Sequence, residues 1–231
     1  TTGFEMSAIA KGESLYDTAR VLSGYSDIIV MRHPQEGSVA EFAAASRVPV
    51  LNGGDGSNEH PTQALLDLYT IKKELAGRGR TVHSLCKLLC LFDGIQVVLV
   101  SPEELRMPPA IVEQLRTAGH QVLESEALEA SISNVDIVYS TRIQEERFSS
   151  QQEADLYRGR FRLNQSIYTE HCEPNTVIMH PLPRDSRVTA RELDDDLNDN
   201  PNLAIFRQTD NGVLVRMALF ALVLDVADQV D

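Results

Sequence analysis

The sequence predicts an α/β protein of two domains, each with a central, mostly parallel sheet flanked by helices. Short apolar runs rich in β-branched residues, such as Asp27-Ile-Ile-Val-Met31, recur along the chain. Between them lie segments with helical spacing of apolar residues, and this alternation is the pattern of crossover units and parallel sheets. The 231 residues, 42% of them hydrophobic, suffice for one large or two smaller domains with collapsed cores.

Residues 1–13 are polar and read as a loop. Leu15, Ala19 and Leu22, with Val21 beside them, give residues 14–24 a helical stripe. Residues 27–31 form a first strand, interrupted at Arg32-His-Pro-Gln-Glu-Gly37. A short helix over 39–46 leads to a second strand over 48–52, where Pro49 suits a sheet edge or a strand start. Residues 52–60 read as loop. Pro61 then suits the first turn of a long helix reaching residue 76, with Ala64, Leu65, Leu68, Ile71 and Leu75 along one stripe. Gly77-Arg-Gly-Arg80 breaks it, and a further helix is expected over 81–91. Strands follow over 95–100, 122–123, 135–140 and 176–179. Helices or helical turns are expected over 107–118, 127–132, 151–157, 164–170 and 189–197. A long apolar helix over 212–227 closes the chain and is expected to pack back on the first domain. The acidic run from Glu192 to Asn200 reads as a solvated helix end and loop.

Lys and Arg number 21 against 34 Asp and Glu, a formal charge of −13. So anionic a body argues against a general nucleic-acid or acidic-membrane surface. It leaves room for an anionic small substrate, because a few focused arginines make a local positive pocket. Three cysteines leave one over in any disulfide scheme, which fits a reducing compartment and a cytoplasmic location. No apolar run reaches the roughly 18 residues a membrane span needs. The start has no signal-peptide pattern.

Ligand sites in this architecture sit beyond the carboxyl ends of strands. Four such ends carry polar residues: Met31-Arg-His-Pro-Gln35, the stretch from Asn52 through His60-Pro-Thr-Gln63, Ser140-Thr-Arg-Ile-Gln144, and Met179-His-Pro-Leu-Pro-Arg184. Arg32 and Arg142 suit bidentate binding of carboxylate or phosphate. His60 and Gln63, three apart in a first helical turn, face the same way, where free N–H groups also favour an anion. The bland alternatives are an ordinary surface arginine at 32, a helix-cap histidine at 60 and a basic turn at Arg78 and Arg80. His33 before Pro34 reads as a structural loop residue. Cys86 and Cys90, one turn apart, have no further ligand placed nearby and read as core. No nucleophile elbow surrounds any serine, and Gly53-Gly-Asp-Gly56 lacks a Walker lysine and a dinucleotide pattern. Nothing demands NAD, ATP or a metal, so no cofactor is expected. The residues alone read as a two-domain α/β protein that binds a small anionic ligand.

At these same strand ends the chain resembles the aspartate carbamoyltransferase family. The matching stretches include Lys11-Gly-Glu-Ser14, Val30-Met-Arg-His-Pro-Gln35, Asn52-Gly-Gly-Asp-Gly56, Glu59-His-Pro-Thr-Gln-Ala-Leu-Leu-Asp67 and Arg80-Thr-Val-His-Ser84. Tyr139-Ser-Thr-Arg-Ile-Gln144, His180-Pro-Leu-Pro-Arg184, Phe206-Arg-Gln208 and Arg216-Met-Ala-Leu219 follow in the family order. The resemblance implies transfer of a carbamoyl group from carbamoyl phosphate to L-aspartate, an early step of pyrimidine biosynthesis. It implies that Arg32 binds the phosphate and polarises the carbonyl, that His60 hydrogen-bonds the carbonyl oxygen, and that Gln63 holds the carbamoyl amino group. The backbone carbonyls of Pro181 and Leu182 hold that amino group too. Arg142 and Gln144 read aspartate, Arg80 binds its α-carboxylate, and Thr81 and Thr141 line the site. Lys11 and Ser7 match a mobile loop that enters a neighbouring subunit's site, which implies a homotrimer as the catalytic unit. Domain closure on the second substrate is expected, hinged near 61–80. A regulatory subunit with allosteric control, or fusion to other pyrimidine-pathway domains, is compatible with the resemblance; Arg142-Ile-Gln-Glu-Glu-Arg-Phe148 is closest to the fused type.

The implied domains are a partial carbamoyl-phosphate-binding domain over 1–76, an aspartate-binding domain over 77–208, and a C-terminal helix over 209–231 that returns to the first. The family's Ser-Thr-Arg-Thr phosphate-binding turn has no match, so the first domain reads as incomplete. One strand of the second, expected before Arg80, is also missing. A shortened homolog that binds dicarboxylates or serves only in assembly is therefore the alternative function. Ornithine carbamoyltransferase is the nearer rival, but its His-Cys-Leu-Pro stretch is replaced here by His180-Pro-Leu-Pro183.

Overall fold

A computed structural model describes residues 12–56, 58–75, 88, 90–143, 148, 150–187 and 189–229. The break expected at 77–80, and most of the helix expected over 81–91, lie outside the described residues. The chain divides into two compact units, residues 1–66 with 212–231, and residues 67–211.

The first unit begins with α1 (Leu15–Leu22), β1 (Ile29–His33), α2 (Ser38–Ala45) and β2 (Val50–Asp55). Ser14 caps α1, its Oγ accepting from Asp17 N–H at 3.0 Å. Buried Ala19 of α1 meets Phe42 and Ala45 of α2, with Leu15, Ile29, Met31 and Val50 packed around them. Strands β1 and β2 are parallel, pairing Ile29 with Val50 and Met31 with Asn52, and the register shifts before His33 meets Asp55. Two expectations are corrected here: β1 includes Arg32 and His33, and β2 continues through Gly53 and Gly54 to Asp55. The glycines keep the strand paired because the chains approach closely. A Cβ on Gly56 would lie 2.7 Å from Pro34 O and 2.9 Å from Glu36 N, and its φ of +57° suits glycine. Asp55 then turns its carboxylate onto the start of α2, accepting from Gly37 N–H at 3.0 Å and Val39 N–H at 3.3 Å. Burial pushes that carboxyl up, but the bonds from Gly37, Asn58 and Val39 outweigh it and hold it below its ordinary value.

Helix α3 (Pro61–Leu75) carries the chain across the first division. The second unit holds β3 (Gln96–Val100), α4 (Pro109–Thr117), β4 (Gln121–Ser125), α5 (Leu128–Ser131), β5 (Ile137–Tyr139), α6 (Gln151–Tyr157), α7 (Gln165–His171) and β6 (Val177–Met179). Helix α8 (Ile205–Val223) crosses the second division. Among the described residues the strand pairs β1–β2, β3–β4 and β5–β6 are parallel, as the alternation predicts. Among the described residues the second unit's strands form two separate pairs, β3–β4 and β5–β6. Buried Ile71, Leu75, Val177, Met179 and Ala204 make one core cluster. Leu163, Ile178, Leu193, Leu197 and Ile205 belong to a larger one.

Two further expectations fail for one physical reason, buried polar side chains. Residues 189–197 form no helix beyond the 3-10 turn Asp195–Leu197, and Leu193 instead bridges Leu163. The acidic run is not wholly solvated either, since Glu192 is only 3% and Asp194 6% exposed. Arg162 clasps Asp194 with Nε at 2.7 Å and with Nη2, and His180 meets Glu192. Helix α8 likewise starts at Ile205, well before residue 212, because its first turns bury Gln208 and Asn211 as well as Ile205.

Among the described residues, no helix is long and apolar enough to cross a membrane, and no three metal-ligating side chains cluster. Among the described residues neither Cys90 nor Cys172 is in a disulfide. Burial first, then the charge of Glu173, pushes the Cys172 thiol up to about 11.

Candidate active site

In the first unit the site is built at the carboxyl ends of β1 and β2. Arg32 is exposed at the end of β1, its stem passing over Gly54, where a Cβ would touch Arg32 Cγ and Nε at 3.4 Å. The loop after β2 is closed by Asp55 N–H donating to Glu59 O at 2.9 Å, which brings His60 to the start of α3. There the His60 carbonyl accepts from Gln63 N–H at 3.0 Å and Ala64 N–H at 3.1 Å. Its Nδ1 lies 3.4 Å from the Thr62 hydroxyl. Burial first, then the charges of Arg32 and Arg216, hold the imidazole below its ordinary pKa of 6.5. His60 is therefore neutral at pH 7, which lets one ring nitrogen donate to a ligand without adding a charge. His33, by contrast, is buried and accepts Gln35 N–H on Nδ1 at 3.0 Å, the structural role its sequence suggests.

Arg216 belongs to a motif of the chain with no site role expected from sequence. Its guanidinium folds back over Gly212, where a Cβ would stand 2.7 Å from Nη1. A glycine four residues before an arginine on one helix was the signal available.

In the second unit Tyr139 pairs with Met179, and Ser140 N–H donates to Met179 O at 2.9 Å. The parallel register thus sets Thr141 and Arg142, both exposed, beside the turn that starts at His180. That turn holds Pro181 and Leu182, both half-buried, with Leu182 at φ +55° and a cis peptide to Pro183. Asp185 follows, its carboxylate bound by Arg187 Nε at 3.0 and 3.1 Å. Arg187 chiefly, with Arg142 adding a smaller pull against burial, holds that carboxyl down at about 2.

The turn is anchored by polar groups with remote partners. His180 N–H donates to Gln208 Oε1 at 3.1 Å, Gln208 Nε2 donates to Asp67 Oδ1 at 2.6 Å, and the Tyr139 hydroxyl donates to Asp67 Oδ2 at 2.7 Å. Burial and the Asp67 charge hold the Tyr139 phenol far above its ordinary range, so it stays protonated. The structure thus brings Arg32, His60 and Gln63 together in the first unit, and Thr141, Arg142, Pro181 and Leu182 in the second. Ser7, Lys11, Arg80, Thr81 and Gln144 lie outside the described residues.

Two family models match the chain. The carbamoyl-phosphate-binding domain of aspartate/ornithine carbamoyltransferases matches residues 1–73, and the aspartate/ornithine-binding domain matches residues 71–223. The aspartate carbamoyltransferase catalytic subunit of Saccharophagus degradans is 74% identical over 248 residues, covering 100% of this chain and 74% of that subunit. The chain belongs to the aspartate carbamoyltransferase family. Its fold agrees with solved members of that family. The aspartate transcarbamoylase of Trypanosoma cruzi in complex with carbamoyl phosphate and aspartate superposes with a TM-score of 0.82, at 37% identity, over 95% of this chain and 74% of that one. The same enzyme in complex with N-(phosphonacetyl)-L-aspartic acid gives a TM-score of 0.83 at 36% identity, over 95% and 73%. The alignment with the Saccharophagus subunit spans 248 residues against 231 here, so at least 17 of its positions have no counterpart inside this chain.

Proposed function

We propose that this chain transfers the carbamoyl group of carbamoyl phosphate to the amino group of L-aspartate, giving N-carbamoyl-L-aspartate and phosphate in cytoplasmic pyrimidine synthesis. The observation that carries the reading is the 74% identity to an aspartate carbamoyltransferase catalytic subunit. It is supported by site residues of the required chemistry at four strand ends. The aspartate amine attacks the carbamoyl carbon, a C–N bond forms, and the C–O bond to phosphate breaks with its electron pair leaving on phosphate, which also takes up the proton the amine nitrogen gives up. Negative charge builds on the carbonyl oxygen on the way. Neutral His60 donates to that oxygen, and Arg32 neutralises the phosphate and the developing charge. Gln63 and the carbonyls of Pro181 and Leu182 hold the carbamoyl amino group. Arg142 and Gln144 bind the aspartate side chain, Arg80 its α-carboxylate, and Thr81 and Thr141 line the same space. An amine needs no activated side-chain nucleophile; holding two anions side by side is the harder task, and the cations serve it. Ser7 and Lys11 reach in from a neighbouring subunit, so the active assembly is a homotrimer.

Formation of carbamoyl aspartate by the purified protein tests the reading, and a chain that binds dicarboxylates without forming it supports the non-catalytic alternative. Arg142→Ala removes a charged hydrogen bond worth about 1.5–3 kcal/mol, so the KM for aspartate should rise ~10- to 100-fold. The KM for carbamoyl phosphate should move far less. Equal losses for both substrates would sink the assignment.

The acid limb of the rate profile should report His60. Its midpoint by NMR titration is expected below 6.5, and higher in Arg216→Gln than in the wild type, because one of the depressing charges is gone. The folded imidazole has the lower pKa, so on acidification the unfolded chain takes the proton first and this group costs stability as pH falls through 6.5. A wild-type midpoint at or above 6.5 would contradict this account.

A further inference from the structure

The His180–Glu192 pair lies in the second unit, and the mechanism above gives it no task. Both side chains are buried, at 1% and 3% exposure, and His180 Nε2 lies 2.8 Å from Glu192 Oε1. The other ring nitrogen, Nδ1, lies 2.8 Å from the backbone nitrogen of Leu182. A backbone N–H only donates, so Nδ1 carries no proton and the ring proton sits on Nε2, aimed at Glu192. The same carboxylate accepts Asp185 N–H at 3.1 Å on Oε1 and 3.3 Å on Oε2. Burial works against its ionised form, but the bonds from His180 and from the backbone prevail and hold Glu192 below its ordinary pKa. One buried carboxylate therefore grips both ends of the segment from His180 to Asp185. Leu182, inside that segment, sits at φ +55°, a conformation uncommon for any residue but glycine.

We propose that Glu192 is a positioning residue: by locking His180 in its Nε2–H tautomer it leaves Nδ1 free to hold Leu182 N–H, and so fixes the Pro181–Leu182 carbonyls that receive the carbamoyl amino group. The link to that amino group rests on the proposed function. The tautomer lock does not.

The test has one arm without substrate and one with. Long-range 15N–1H NMR of the wild-type protein should show the Nε2–H tautomer of His180 at neutral pH. Glu192→Gln, which keeps an acceptor, should preserve that spectrum, and Glu192→Leu should lose it. In the substrate arm, Glu192→Leu should raise the KM for carbamoyl phosphate roughly tenfold or more, as a displaced contact group does. N-(phosphonacetyl)-L-aspartic acid has a methylene and no carbamoyl amino group, so its binding should change by less than about threefold. His180→Asn places an acceptor near the Nδ1 position and should keep a lower KM for carbamoyl phosphate than His180→Gln. A merely structural pair would weaken both ligands alike and would not separate Asn from Gln. An Nδ1–H or doubly protonated His180 in the wild type overturns the lock. Equal effects on the two ligands overturn the positioning role. Absence of product from a wild-type protein with the expected tautomer sinks the functional reading, and the link to the carbamoyl amino group with it, while the lock stands.

Discussion

His60→Ala should lower kcat by roughly 10²–10³-fold, the loss seen when one donor aimed at a developing oxyanion is removed. The fold should hardly notice. His60 serves α3 through its backbone carbonyl, which accepts from Gln63 and Ala64 and survives the substitution. The ring's hydrogen bond to Thr62 is long, at 3.4 Å. The cost therefore falls on the transition state rather than on stability, and it should appear in kcat more than in either KM. His60→Gln keeps a donor and should recover part of the rate. Steady-state kinetics with unchanged circular dichroism check this. A loss below about threefold would mean that His60 is only a helix-start residue, and the charge on the oxygen would then fall to Arg32 alone.

The parts of the fold that were legible in sequence are those whose signal is local. The runs at 27–31, 95–100 and 176–179 mark β1, β3 and β6 because each is a short run rich in β-branched residues, which suit a pleated strand. Pro61 and the stripe through Ile71 and Leu75 placed α3 to within a residue. The errors cluster where a polar residue is buried against a partner far along the chain. Glu192 is twelve positions from His180, Asp194 is 32 from Arg162, and Gln208 is 141 from Asp67. Hydropathy scores each of these as a surface residue, and no local pattern reveals its partner. The same blindness hid the first turns of α8 and suggested a helix over 189–197. Arg32, His60, Arg142 and the Pro181–Leu182 turn are legible as chemistry because they lie at or beyond the carboxyl ends of strands. The roles proposed for them rest on the order of motifs, not on spacing. Arg216 was missed because its influence on His60 depends on how α8 passes the first unit's strand ends.

The two separate strand pairs of the second unit belong with the count of residues. At least 17 positions of the Saccharophagus subunit have no counterpart here, enough for a strand with its connections. The order of family motifs puts a further strand just before Arg80. β6 is fully buried, whereas β3 and β5 are only half-buried along most of their length. Among the described residues no strand joins β3 to β5, and both are half-exposed along most of their length.

Stability of the second unit should depend most on Asp67. Its carboxylate is fully buried and receives the Tyr139 hydroxyl at 2.7 Å and Gln208 Nε2 at 2.6 Å. Asp67→Leu removes both acceptors and leaves two donors buried, each worth about 1–3 kcal/mol of lost solvation. A loss of about 3–5 kcal/mol is expected, the scale for breaking a buried polar network from one side. Asp67→Asn keeps one oxygen for Gln208, and its amide can donate to the Tyr139 oxygen, so about 1–2 kcal/mol is expected. Tyr139→Phe deletes one bond of the same hub and should cost about 1 kcal/mol. The two milder changes share a partner and should not add. Urea unfolding checks this: a lower midpoint at unchanged m reports stability alone. Because Gln208 also accepts His180 N–H, Asp67→Leu should disturb the Pro181–Leu182 turn and raise the KM for carbamoyl phosphate as well. A cost under about 1 kcal/mol for Asp67→Leu would show that water or another side chain satisfies Tyr139 and Gln208, and the anchoring of the turn would then rest on Glu192 and His180 alone.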